Sequence, residues 1–179
     1  MKNNSKSGHP FLDGNGRAGR LLITFYLFWE KILSHPLLYL SFYLKKNRIE
    51  YYDLLMRIRI NGDWEGWLKF FLKGIKEVSE EAANSASKII ILKETILKKL
   101  FDKKVSSIYA VEFLNLLFRK PIITSQELIK ELEISKETAN QIIKKFEEIE
   151  ILKEISGKKR YKKYLFSEYI NIIKGGTEL

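Results

Sequence analysis

Of the nine residues from Leu21 to Trp29, only Thr24 is not hydrophobic. The run is far too short to span a bilayer, which takes about 20 apolar residues, so it belongs inside protein. A helix that is apolar on nearly every face needs cover on all sides, which makes it a central helix rather than an amphipathic surface one. The spacing predicts a helix over 17–33, broken at His35-Pro36, with the rest of the chain packed around it. Where cover runs short, such a helix exposes an apolar patch or pairs with a second chain, so a homodimer is an expected partner. Met1 to Gly8 is polar, without the apolar core of a signal peptide, and no cysteine is present. The expectation is a cytoplasmic protein with no membrane partner, no disulfide and no thiolate chemistry.

A polar loop runs straight into that helix: His9-Pro10-Phe11-Leu12-Asp13-Gly14-Asn15-Gly16-Arg17-Ala18-Gly19-Arg20. Glycines on both sides of Asn15 permit positive φ and close backbone approach, so successive N–H groups can converge on an anion. A helix start adds free N–H groups and the positive end of the dipole. Arg17 and Arg20 are three apart and share a face, yet cations in a first turn oppose the dipole, a cost that an anionic ligand would offset. Two guanidinium forks converging with a backbone nest suit a di- or triphosphate better than a carboxylate. Asp13 fits a Mg²⁺ ion held beside phosphates. His9, kept extended by Pro10, is a natural base for a hydroxyl nucleophile. Gly14 to Gly19 also matches G-x-G-x-x-G, but polar residues precede it and a helix follows, so the βαβ setting of a dinucleotide fingerprint is missing.

His9 to Arg20 resembles the complete motif of the Fic family, H-x-F-x-[DE]-[GA]-N-[GK]-R-x-x-R, with every defined position filled. The similarity continues through Pro36 to Ser41, Glu50-Tyr51-Tyr52 and Asn61 to Leu72. The resemblance implies an all-α core that transfers AMP from Mg·ATP to a Ser, Thr or Tyr hydroxyl of a target protein, with ATP and Mg²⁺ as cofactors. By position, His9 would deprotonate the hydroxyl and Asp13 would hold Mg²⁺. Gly14, Asn15 and Gly16 would form the anion hole, Arg17 would bind the phosphates and Arg20 would contact the terminal phosphate. In the family, a helix and a β-hairpin flap that positions the target peptide come before the motif, and Gly8 stands where an apolar residue is usual. The resemblance therefore covers the C-terminal part of a Fic core, and the expectation is a nucleotidyltransferase of the Fic type, or its C-terminal portion, with the flap that docks the target missing from the match. No [ST]-x-x-x-E-[GN] segment, the pattern of the family's autoinhibitory helix, occurs.

Downstream, residues 37–60 read as two short helices, with Tyr39, Phe42, Tyr43, Tyr51, Tyr52, Leu54 and Leu55 turned inward. Asn61-Gly62-Asp63 is a turn and cap signal opening a helix over 64–78, whose Trp64, Trp67, Leu68, Phe71 and Ile75 recur at helical spacing. Residues 79–103 continue as a long helix, and the short charged segment after it sets an expected division into 1–104 and 105–179.

The second part changes rhythm. Ile108 to Arg119 is a helix stopped at Pro121, Thr124-Ser125-Gln126-Glu127 is a capping-box pattern, and a third helix covers 136–149 with Ala139, Ile142, Ile143 and Phe146 inward. Two short strands, 151–154 and 161–166, then flank a basic turn. The expected fold class is mainly α: a Fic-type helical bundle followed by a winged helix-turn-helix domain with a short β-hairpin. As a DNA binder, this domain would grip the backbone with Lys158, Lys159, Arg160, Lys162 and Lys163. Lys136, Lys144 and Lys145 on the third helix are cancelled by Glu137, Glu147 and Glu148, and only Asn140 and Gln141 suit base reading. A protein-interaction role therefore stays open beside DNA binding, and a winged-helix regulator with a nucleotide-sensing Fic remnant is the alternative function. The formal charge of +10 divides as +8 over 1–119 and +2 over 120–179, so the basic excess lies with the nucleotide-binding part.

Overall fold

Asp63 and Gly62 show how local chemistry starts the longest element of this chain. In a computed structural model, which describes residues 14–31, 40–158 and 160–175, Gly62 takes φ +68° and closes helix α3 (Arg48–Asn61). Asp63 Oδ1 then accepts from the N–H of Gly66 at 2.9 Å and opens α4 (Trp64–Asp102). The two earlier described helices are α1 (Asn15–Trp29) and α2 (Leu40–Lys46). Nothing between Val78 and Ser79 breaks α4, which runs through what reads in sequence as two consecutive helices. Its exposed face carries Glu65–Lys69, Lys73–Glu77 and Lys76–Glu80 pairs at i,i+4, the spacing at which opposite charges on one helix face meet.

Contacts divide the chain into two units, with the division between Glu81 and Ala82, inside α4. In the first unit Leu40, Tyr43, Leu44, Leu54, Phe70 and Val78 form the core. Gly74 lets α4 approach α2 closely: a Cβ there would lie 2.5 Å from Cδ1 of Tyr43, whose ring packs 5.2 Å from that of Phe70. The buried stripe of α4 is centred on Trp67, Phe70, Gly74 and Val78, so Trp64 and Leu68, read as core from their spacing, are exposed. Tyr52, also expected inward, is half exposed.

Helix α1 starts two residues earlier than expected. It packs through Ile23 alone of its large side chains onto the first unit's core. Leu21, Leu22, Phe25, Tyr26, Phe28 and Trp29 are exposed, Trp29 at 82%. The described residues thus cover one stripe of the helix, and the apolar patch expected where cover runs short is present.

The second unit has its own core. Leu92, Ile96 and Leu100 of α4 join Phe113, Leu114 and Leu117 of α5 (Ile108–Arg119) and Phe146 and Phe166 in one cluster. The division expected at 104/105 therefore falls within this unit. After α5 comes a strand absent from the sequence reading, β1 (Ile122–Thr124), then α6 (Ser125–Leu132) and α7 (Lys136–Glu148). Strands β2 (Lys153–Glu154) and β3 (Lys163–Leu165) and helix α8 (Ser167–Gly175) complete it. The sheet is antiparallel in the order β1-β3-β2, with Ile123 opposite Tyr164 and Glu154 opposite Tyr164 on the other side. Both strands of the hairpin are shorter than expected. Ile151 and Leu152 are buried, and their N–H groups both donate to the carbonyl of Phe146 at 2.9 and 3.2 Å, so they finish α7 rather than begin a strand. The molecule is mainly helical with one small sheet, as the fold class expects. Among the described residues no helix is long and apolar enough to cross a membrane.

Candidate functional site

Gly14 precedes α1 with φ +84°, a left-handed conformation that costs glycine nothing. Its carbonyl accepts from the N–H of Ala18 at 2.9 Å, so the helix begins directly behind the loop and its first N–H groups lie at Asn15, Gly16 and Arg17. Both arginines of the following turn fold back toward that end. Arg17 Nη2 lies 3.8 Å from where a Cβ on Gly14 would sit, and Arg20 Nη1 lies 3.3 Å from the same point on Gly16. A side chain at position 16 would press on the Arg20 guanidinium, so the glycine gives that cation its place. The first turn holds no acidic residue, which leaves the dipole and two guanidiniums acting together.

Arg20 is half-buried and also faces a cavity of about 330 Å³, lined with it by Ser41, Leu44, Lys45, Arg48, Tyr51 and Tyr52. Among the described residues, three cations and no carboxylate line this space. The Arg48 guanidinium lies 5.6 Å over the Tyr52 ring, and the Tyr51 and Tyr52 rings meet edge to face at 5.4 Å. The lining therefore joins positive charge with aromatic surface, a combination suited to an anion attached to a flat, apolar group. Sequence reasoning missed Lys45 and Arg48 here. The available signal was the i,i+4 spacing of Arg48 and Tyr52, one turn of helix from a guanidinium to a ring.

Of the residues expected at the site, Gly14, Asn15, Gly16, Arg17 and Arg20 stand together at the start of α1. His9 and Asp13, the expected base and Mg²⁺ ligand, lie outside the described residues. Among the described residues no group of three or more His, Cys, Asp or Glu side chains is placed to hold a metal ion.

The basic hairpin of the second unit is separately organised. Glu154 accepts from the N–H of Ser156 at 2.7 Å and of Gly157 at 2.9 Å, and also from the Ser156 hydroxyl. The hydroxyl bond first, then the backbone donors, hold its carboxyl below the ordinary range. Ile155 donates to the Lys163 carbonyl at 2.9 Å, and Lys163 N–H donates to Ser156 Oγ at 3.3 Å. Lys158, Arg160, Lys162 and Lys163 are all exposed. Lys159 lies outside the described residues.

Residues 92–168 match the family model described as the protein adenylyltransferase SoFic-like, C-terminal domain. The match covers the second unit's core from Leu92 to the start of α8, and is consistent with the C-terminal part of a Fic-family protein.

Proposed function

We propose that this chain carries the nucleotide-binding end of a protein adenylyltransferase, which moves AMP from Mg·ATP to a Ser, Thr or Tyr hydroxyl of a target protein. One observation carries the reading: at the start of α1, Arg17 and Arg20 fold back over two glycines onto the positive end of a helix. The match of residues 92–168 to the C-terminal domain of SoFic-like adenylyltransferases supports it from the other end of the chain.

In this reading the anion hole of Gly14, Asn15 and Gly16 and the Arg17 guanidinium take the phosphates, and Arg20 takes the terminal one. The cavity beside Arg20 takes further parts of the nucleotide, with Lys45 and Arg48 adding positive charge and Tyr51 and Tyr52 offering ring faces. Asp13 supplies a carboxylate for Mg²⁺, which when bound neutralises phosphate charge. His9 accepts the hydroxyl proton as the oxygen attacks the α-phosphorus. The bond from that phosphorus to the bridging oxygen breaks, pyrophosphate leaves, and AMP stays on the target.

The test is titration of the full chain with a fluorescent ATP analogue in Mg²⁺, alongside transfer of α-labelled ATP to proteins of a lysate. Removing a charge-assisted contact to phosphate costs about 1.5–3 kcal/mol, so Arg20→Ala should weaken binding about 10- to 150-fold. His9→Ala should leave binding unchanged and abolish any transfer. Nucleotide affinity that stays the same in Arg17→Ala and Arg20→Ala would remove the basis of the assignment.

A further inference from the structure

We propose that the β2–β3 hairpin is a grip for the phosphate backbone of duplex DNA, holding it without reading its sequence. Five of the six residues from Lys158 to Lys163 are cationic and none is acidic. Residues 120–179 carry only +2 in total, so the remainder of that stretch is net −3 and its positive charge is concentrated on this one turn. Lys158, Arg160, Lys162 and Lys163 are exposed, and none forms an ion pair within 4 Å among the described residues. Their charge is therefore available to a polyanion.

The start of the turn is tied back to β2. Glu154 Oε1 accepts from the N–H groups of Ser156 and Gly157 and from the Ser156 hydroxyl, and Gly157 takes φ +61°. Tying down the backbone at this end of the turn lowers the conformational entropy that binding loses there. Tyr161 is 71% exposed at the tip. A single exposed ring is too little for single-stranded nucleic acid, which is held on successive aromatic platforms. The major groove of B-form DNA is wide enough to admit a turn between two strands, whereas the A-form major groove is too deep and narrow to admit side chains.

Sequence reading is unsupported by the neighbouring helix. The outer face of α7 presents Glu137, Gln141, Lys144 and Glu148, all exposed, with Lys144 and Glu148 paired at 3.8 Å. Asn140 Oδ1 already accepts from Ser125 Oγ at 2.9 Å. Two carboxylates on that face would meet phosphates on a close approach, which leaves the hairpin as the contact.

The experiment is fluorescence anisotropy of the full chain with a labelled 20-base-pair duplex of random sequence, from 50 to 200 mM salt. Each neutralised phosphate adds about −0.9 to the slope of log K on log salt. Four contacts give a slope near −3.6, an affinity loss of about 150-fold across that range. The triple variant Lys158→Ala/Arg160→Ala/Lys162→Ala should flatten the slope by about 2.7, the share of three phosphate contacts. Lys88→Ala/Lys93→Ala/Lys98→Ala, which removes the same charge from exposed positions of α4, should keep the full slope, and circular dichroism checks that both variants are folded. Equal loss in the two triple variants would assign binding to bulk charge and overturn the proposal. So would an unchanged slope in the hairpin variant, or binding of single-stranded DNA or duplex RNA as tight as that of duplex DNA.

Discussion

A glycine can matter for the shape it permits or for the room it leaves, and this chain uses both. Gly14 takes a left-handed turn at the start of α1, beside the proposed anion site, where a Cβ would meet nothing closer than 3.8 Å. Gly74 is the reverse case: it lies within α4, but a Cβ there would stand 2.5 and 2.6 Å from two ring carbons of Tyr43. Both carbons belong to a ring packed against Phe70 in the core, so the ring has nowhere easy to go. Overpacking of this kind typically costs about 1–3 kcal/mol, outweighing the gain of under about 1 kcal/mol that alanine brings to a helix interior. Gly74→Ala is expected to destabilise the protein by about 1–2 kcal/mol net, read as a lower urea midpoint. Pairing it with Tyr43→Leu should recover part of that loss, because the clash partner is then smaller and more pliable. A rise in stability for Gly74→Ala alone would show that α2 and α4 are not as closely packed as described.

At the scale of elements, what the sequence made legible was whatever is decided locally. The capping box is the best example: Thr124 Oγ1 accepts from Glu127 N–H at 3.3 Å, and Glu127 Oε2 accepts from Thr124 N–H at 2.8 Å. Ser135 caps α7 by accepting from Thr138 N–H at 3.1 Å, and Ala139, Ile142, Ile143 and Phe146 form its buried face as their spacing requires. Three-residue β1 was not legible, because Ile122-Ile123-Thr124 is too short for a period to show and becomes a strand only by pairing with β3, some forty residues later. Of the proposed anion site, the glycines and arginines were readable because one stretch of sequence carries them, while Lys45 and Arg48 join Arg20 around a cavity only through packing. The capping box also sets a pH dependence. The Thr124 hydroxyl first, and its backbone N–H next, hold the Glu127 carboxyl below its ordinary 4.5. A carboxyl lowered in the folded state adds stability in full above its unfolded value and loses it as pH falls through the lower native one. Glu127→Ala should therefore cost about 0.5–1 kcal/mol at neutral pH, with the difference shrinking in acid below the ordinary carboxylate range. Urea unfolding at neutral and acid pH checks it; an equal cost at both would mean the carboxylate's charge plays no part.

On the scale of the whole molecule, the decisive question is where the second unit begins. A short charged segment at 102–107 looks like a linker in sequence, and α5 begins just after it with Ser107 as its cap. The packing places the start earlier. Leu92, Ile96 and Leu100 project from one side of α4 at intervals of four residues and are 9%, 3% and 1% exposed, in the same cluster as Phe113, Leu114 and Phe146. The family match, which begins at residue 92, includes all three. Removing one buried Leu or Ile side chain typically costs about 2–5 kcal/mol. Losing three, with the helix turns that carry them, would then approach the roughly 5–15 kcal/mol by which a whole domain is stable. A piece comprising residues 82–179 is accordingly expected to fold cooperatively, with a dispersed amide NMR spectrum and a single urea transition. A piece comprising 105–179 keeps every strand and the helices α5 to α8, yet should show collapsed amide dispersion and a broad transition or none. Leu100→Ala in the full chain provides the smaller step, a loss of about 2–4 kcal/mol in the transition of the second unit. If the 105–179 piece unfolds at the same midpoint as the longer one, the three α4 residues are a lid on a core already complete without them, and the unit begins at α5.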